Sequence, residues 1–342
     1  MIDRRIASIK RKIEEMRNTS PGAFVDRVSC ADEPLVLRGL VSDWPALKHA
    51  QASHKEIGDY LLSFDCGVPV SCFSGPPELN GRIFYNEDFS GLNCQVRQTS
   101  LSEALERILE HEAAERPPLN YVGATRIETL LPGFAEDNCM PIATADATAY
   151  IWIGGPTRIA AHYDFSDNLA CVVTGRRRFV LFPPDQLPNL YIGPLDFTPA
   201  GQPISLVDFG NLDFTAFPRF RTALDSAQIA ELMPGDALFI PSMWWHHVEA
   251  LSPMNILVNY WWRRSPTYLG APRDALEHAL MALRDLPLRQ KEAWRQMFDY
   301  YVFNNNDDVV SHIPQKARGI LGPMTERQAR RLRATLLNRL NA

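Results

Sequence analysis

The sequence predicts a mainly β core, a barrel or sandwich, with helices flanking it. Two observations carry this. Between residues 148 and 262 short β segments recur with Gly, Pro and Asp between them: TAYIWIG, NLACVV, RRFVLF, NLYIG, ALFIP, HHVEAL and NILVNYWW. Such spacing is the pattern of an all-β architecture. After Arg263 the texture changes to helical periodicity, in DALEHALMALRDL, LRQKEAWRQMFDYYVF and TERQARRLRATLLNRL, where apolar residues return at intervals of three and four. The expected division is residues 1–120, N-terminal helices and strands packing on the core; 121–263, the β core; and 264–342, a helical region.

Ahead of the core, Ile2, Ile6, Ile9, Ile13 and Met16 recur at spacings of four and three among charged residues. This stripe predicts one amphipathic helix over residues 1–18 that docks on its own domain, because short isolated helices are marginal. PLVLRGLVSDWPAL (34–47) predicts a strand, a turn and a short helix; VPVSCF (68–73) and RIFYNED (82–88) predict short strands. Ser100 and Glu103 form a capping-box pattern before ALERILEH, and Thr325 with Gln328 form another before the last helix, so helices are expected to start there. Pro183-Pro184 ends one strand, Pro234-Gly235-Asp236 turns into another, and 194–234 reads as a long irregular insertion, a length that usually serves function.

With 342 residues, 46% hydrophobic and 22% charged, the chain can bury a large core, as ordinary globular proteins do. A net charge of -5 and a pI near 5.9 argue against a nucleic-acid surface spread over the whole protein, and the arginines between Arg327 and Arg339 are expected to form a solvated helix face. The six cysteines show no C-x-x-C spacing, which suits buried thiols in a reducing compartment. Residues 1–18 are charged throughout and no apolar run is long enough to cross a bilayer, so the expected location is cytoplasmic and no membrane partner is expected. The apolar faces carrying Leu276, Leu280, Leu283, Met297, Phe298 and Tyr301 suit either a homodimer interface or packing on the chain's own barrel.

The candidate chemistry centres on His162-Tyr163-Asp164. On an extended segment, residues two apart point to the same side. One imidazole and one carboxylate aimed at a common point make two thirds of the 2-His-1-carboxylate facial triad that holds non-haem Fe(II). A second imidazole comes from His246 or His247 in SMWWHHVEAL. As neighbours they face opposite sides, and spacing leaves the choice open. Likewise Arg177 in GRRRFVLF faces one side and Arg176 with Arg178 the other. No H-E-x-x-H pairs a base with a metal, so a zinc hydrolase is disfavoured.

HYDFSDNLACVVTGRRRFVLFPPDQ, LVDFGNLDFTAFPRF (206–220), GDALFIPSMWWHHVEAL and VNYWW (258–262) together resemble the cupin-like branch of the JmjC 2-oxoglutarate oxygenases, in a pattern similar to its asparaginyl hydroxylases. The resemblance spans roughly residues 34 to 262 and is most specific from 150 on. It implies a double-stranded β-helix of eight strands, with His162, Asp164 and His246 as iron ligands. It further implies Arg177 as the cation that receives 2-oxoglutarate, where many members have Lys. Tyr121, Asn168 and Asn259 fall where members bond the cosubstrate or the iron shell. The cosubstrate-binding hydroxyl is missing at Ile159, its role passing to Thr157 or water, and the polar pair that grips an asparaginyl target has no counterpart at Pro203-Ile204.

The implied activity is hydroxylation of a C–H bond with Fe(II), 2-oxoglutarate and O₂, on a protein, peptide or small-molecule substrate. Its oxidant needs an apolar pocket, for which the tryptophans, Ile151 and Leu169 are candidates. The competing reading is a metal-binding cupin that acts as sensor or scaffold without oxidation. The cation at position 177 separates the two, since only the oxygenase needs it.

Overall fold

A computed structural model describes residues 3–17, 21–29, 31–140, 147–199, 201–304 and 306–341. It contains fourteen named strands: β1 (Glu14–Arg17), β2 (Leu35–Arg38), β3 (Val70–Gly75), β4 (Arg82–Ile83), β5 (Gln95–Thr99), β6 (Leu119–Arg126) and β7 (Thr148–Gly154); then β8 (Thr157–His162), β9 (Asp167–Thr174), β10 (Arg177–Phe182), β11 (Gln228–Leu232), β12 (Ala237–Ile240), β13 (Trp245–Ala250) and β14 (Asn255–Trp262). They form a nine-stranded sheet ordered β1-β2-β12-β9-β14-β7-β6-β3-β5 and a five-stranded sheet ordered β11-β10-β13-β8-β4. The eight strands from β7 to β14 divide four and four between the sheets, giving the double-stranded β-helix that the resemblance implies.

Three apolar layers follow from the strand alternation. Between the sheets lie Val172, Phe179, Leu181, Leu232, Leu238 and Leu257. The outer face of the larger sheet, with Ile151, Ile153, Leu169, Cys171, Ile256 and Val258, is covered by helices that contribute Leu47, Ile57, Leu105 and Ile108. The outer face of the smaller sheet packs Val180 and Phe182 on Phe209, Phe220 and Ile6.

The N-terminal stretch departs from the expected helix. Only Arg4–Ala7 is helical; Lys12 then bridges Ile229, and β1 pairs in parallel with β2. Ile6, Ile9 and Ile13 are nonetheless buried, so the apolar stripe packs on the domain while its backbone finds ladder bonds on a sheet edge. An edge strand offers those bonds without the nucleation cost of a helix. Ile2 lies outside the described residues.

Two further expectations are corrected. NLYIG is not a strand: its first residue closes the 3₁₀ segment Pro184–Asn189, Tyr191 takes a left-handed φ of +51, and Ile192 makes a single bridge to Ser205, because an extended ladder does not run through a positive φ. The 194–234 span is less irregular than expected, with a helix at Phe220–Ser226 followed by β11. RIFYNED narrows to the two residues of β4, whereas β3 and the helix after Trp44 form as expected.

Ser100 caps the helix Leu101–Glu110 by accepting from the Glu103 N–H, but the Glu103 carboxylate turns to Thr99 and Arg107. The Asp236 turn holds β2 in place: its carboxylate accepts from Arg38 at 2.6 Å and from the Gly39 and Met233 N–H groups at 3.0 Å.

Contacts divide the chain into two compact units, Met1–Arg263 and Arg264–Ala342. The second holds helices at Pro272–Leu283, Leu288–Phe298 and Glu326–Leu340, the last with a complete Thr325–Gln328 capping box. Leu276, Met297 and Tyr301 are exposed there, while Leu280, Leu283 and Phe298 are half-buried. Cys66, Cys72, Cys94, Cys139 and Cys171 are free thiols. Among the described residues no helix is long and apolar enough to cross a membrane.

Gly175 turns β9 into β10 at φ +77, and a Cβ there would collide with Asn255 Oδ1 and the Met254 carbonyl. Gly175→Ala is expected to cost about 2 kcal/mol of stability, read as a lower urea midpoint. An unchanged midpoint would show that the turn tolerates a side chain.

Candidate metal centre

β8 and β13 run antiparallel, and His246 lies directly opposite His162. Cross-strand partners share a face, so the two imidazoles meet with ring centroids 4.3 Å apart. The strand register alone brings residues 84 apart in sequence together. Asp164 follows just after β8, and the ligand-type atoms of His162, Asp164 and His246 all lie within 4.8 Å of one another.

Each imidazole is oriented from behind. Nδ1 of His162 sits 2.9 Å from the Ala160 carbonyl and Nδ1 of His246 3.0 Å from that of Trp244. In the tautomer that donates these bonds, Nε2 keeps its lone pair for a metal. Burial, reinforced by His162 and opposed by Asp164, pulls His246 down to about 4, so it is neutral at physiological pH. Asp164 accepts from Asn168 Nδ2 at 3.2 Å, and Asn168 Oδ1 accepts from Asn259 Nδ2 at 2.7 Å. Two imidazoles and one Asp side chain on one side of a point are the donor set of a facial site with positions left open. These residues fit a metal.

His247 takes the other face. It stacks on Phe209 with centroids 4.1 Å apart and lies 3.5 Å from Glu249. Burial would push the Glu249 carboxyl up, but His247 and Arg178 hold it below its ordinary value.

The same alternation sorts the arginines. Arg176 pairs with Glu231 at 2.9 Å and Arg178 with Glu249 at 2.9 Å, both on the outer face. Arg177 points inward, is 2% exposed, and its Nε and Nη2 have no partner. Burial pulls its pKa down to about 10, which still leaves it cationic at neutral pH. A buried, unpaired guanidinium is costly, so its presence points to an anion that it awaits.

One cavity of about 250 Å³ is bordered by His162, Asp164, His246, Arg177, Tyr121, Asn168 and Asn259 together. All seven sequence candidates therefore converge. Burial raises the Tyr121 phenol above its ordinary range, against a weaker pull from Arg177, and keeps it a neutral hydrogen-bonding group. The wall is apolar, but it is not built from Ile151 and Leu169, which face the helix-covered side of the larger sheet. Trp152, Leu257 and Trp261 on the opposite face of that sheet do that work, with Phe179 from the smaller sheet. Trp244, Trp245 and Trp262 are buried in the core instead. Thr157 is buried and does not border the cavity, whereas Ile159 does.

Phe73, Ile83, Gly123 and Pro199 also border the cavity and escaped the sequence reading. They arrive from strands and a loop that no periodicity connects to residue 162.

Residues 21–268 match the family described as the cupin-like domain. The chain is 25% identical over 280 residues to HSPB1-associated protein 1 of Rattus norvegicus, covering 78% of this chain and 56% of that protein. It is 38% identical over 267 residues to Lysine-specific demethylase JMJ31 of Arabidopsis thaliana, covering 70% and 48%. Over 141 residues it is 32% identical to tRNA wybutosine-synthesizing protein 5 of Gallus gallus, covering 37% and 41%. The chain spans about half the length of the curated relatives it matches.

Without any ligand, Arg177→Met is expected to stabilise the protein by about 1 kcal/mol or more, since an apolar side chain of similar length removes an unpaired buried charge. Thermal unfolding of the two proteins decides it, and a lower midpoint for the variant would mean that Arg177 serves the fold.

Proposed function

The chain belongs to the cupin-like domain family, and from that premise we propose that it is an Fe(II)- and 2-oxoglutarate-dependent oxygenase that hydroxylates a C–H bond. One observation carries the reading: the His162–Asp164–His246 group and the unpaired Arg177 guanidinium border the same cavity. A metal-binding scaffold has use for the first and none for the second.

His162, Asp164 and His246 would hold iron(II), and Arg177 the far carboxylate of 2-oxoglutarate through its planar fork. Bound together, these groups supply an oxidant for C–H bonds from O₂. Tyr121 stands beside Arg177 as a neutral hydrogen-bonding partner for the same carboxylate. Asn168 fixes the Asp164 carboxylate and is itself fixed by Asn259, the kind of outer support that sets ligand orientation. Trp152, Phe179 and Trp261 keep water from the reacting centre.

The relatives include a lysine-specific demethylase and a tRNA wybutosine-synthesizing protein. A protein side chain and a tRNA base are therefore the two macromolecular substrate classes to weigh, with a small molecule as a third.

Anaerobic addition of 2-oxoglutarate to the Fe(II)-loaded protein is expected to produce the visible charge-transfer band of the chelate, and no band would sink the reading. Succinate formation is expected to vanish in His162→Ala and Asp164→Ala. Full turnover in either would contradict the ligand assignment. Arg177→Met is expected to raise KM for 2-oxoglutarate at least about thirtyfold, the loss of a buried charge-assisted pair, while Arg177→Lys recovers part of it.

A further inference from the structure

We infer that the group oxidised in this cavity is a single uncharged, hydrocarbon-rich side chain presented by a polypeptide; this rests on the oxygenase reading above. Size is the first argument. About 250 Å³ falls below the ~300–1,000 Å³ of pockets that engulf a whole small molecule, and the cosubstrate takes part of it. What remains suits one side chain whose parent stays outside. A fused-ring base or a free metabolite needs more.

Charge is the second. Among the described residues that border the cavity, Asp164 is the only carboxylate and Arg177 the only permanent cation. The oxygenase reading commits the first to iron(II) and the second to 2-oxoglutarate. The positive charges of the metal and Arg177 are then balanced by Asp164 and the two cosubstrate carboxylates. Among the described lining residues no carboxylate is left for a lysine or arginine substrate, and no cation for an acidic one.

The wall is the third. It includes Phe73, Ile83, Trp152, Pro199, Ile204 and Trp261, and the indole N–H groups of Trp152 and Trp261 are buried without partners. Beside these groups the one unpartnered acceptor among the described lining residues is the neutral Asn259 Oδ1, which does not replace the carboxylate that a cation needs after losing its water. The aromatic faces return part of that cost, beside a metal and a guanidinium that repel it. A leucine-like or aromatic side chain loses nothing on entry. In the reaction one atom of O₂ enters its C–H bond to give C–OH, the other enters succinate, and 2-oxoglutarate supplies two electrons as it loses CO₂.

The test uses the full chain loaded with Fe(II) and 2-oxoglutarate, after its chelate band has been recorded. Peptide libraries with random flanks and a central Leu, Phe, Asn, Lys or Arg are scored for succinate and for products heavier by one oxygen. Leu- or Phe-centred libraries are expected to exceed Lys- and Arg-centred ones at least about tenfold. Ile204→Asp, which adds a carboxylate to the wall, is expected to shift preference toward Lys, while Ile204→Ala keeps the apolar preference. A band with preference for Lys, Arg or Asn, with turnover of nucleosides or tRNA alone, or with no library turned over, overturns this inference and leaves the iron site standing. Absence of the band defeats the oxygenase reading itself.

Discussion

The antiparallel register that sets His246 opposite His162 is the constraint on which the site depends. A one-residue slip would turn every inward side chain of β13 outward, replacing His246 with His247 and Val248 with Glu249. Register is protected by what lies on the outer face, where His247 stacks on Phe209 and Glu249 meets Arg178. Burying the wrong set would strand a carboxylate between the sheets, and the loss would exceed what a single packing contact returns. The apolar outer residues of β10, Val180 and Phe182, are held by Phe209 and Phe220 in the same way.

Stability and chemistry pull against each other at Arg177. A chain selected for stability alone would place Met or Leu between Tyr121 and the sheet, as apolar replacements of buried charges often are more stable. The guanidinium is kept, buried and unpaired, where the carboxylate of the proposed cosubstrate would complete its hydrogen bonds. Of its flanking arginines, Arg176 sits in an exposed ion pair of modest worth, and Arg178 neutralises the buried Glu249 carboxylate. Three adjacent arginines thus have two unrelated physical roles, divided by the pleat of one strand.

Much of the core was legible because strands alternate and turns carry Gly, Pro and Asp. The centre of the site was legible as well, since H-x-D, a later His pair and a basic strand are chemically unusual companions. Where inference failed, two backbones could satisfy one pattern. Ile6, Ile9 and Ile13 are apolar at helical spacing, yet the segment extends along β2 because that edge had bonds to offer. Ile151 was taken for pocket wall and Trp152 is: a strand covered on both faces is apolar on both, so hydrophobicity could not tell its two sides apart.

By itself, then, the sequence determined which residue types were available and which of them alternate: a His and an acid two apart, a later His pair and three adjacent arginines, each on a segment whose period of two confines it to one of two faces. Choosing between the faces, and bringing β3, β4, Pro199 and Ile204 to the same cavity, was left to the tertiary structure. The reason is that a strand's inner side is defined only by what covers the other, and here helices cover the larger sheet and Phe209 and Phe220 the smaller. That information is spread over contacts hundreds of residues apart, where no local period can carry it.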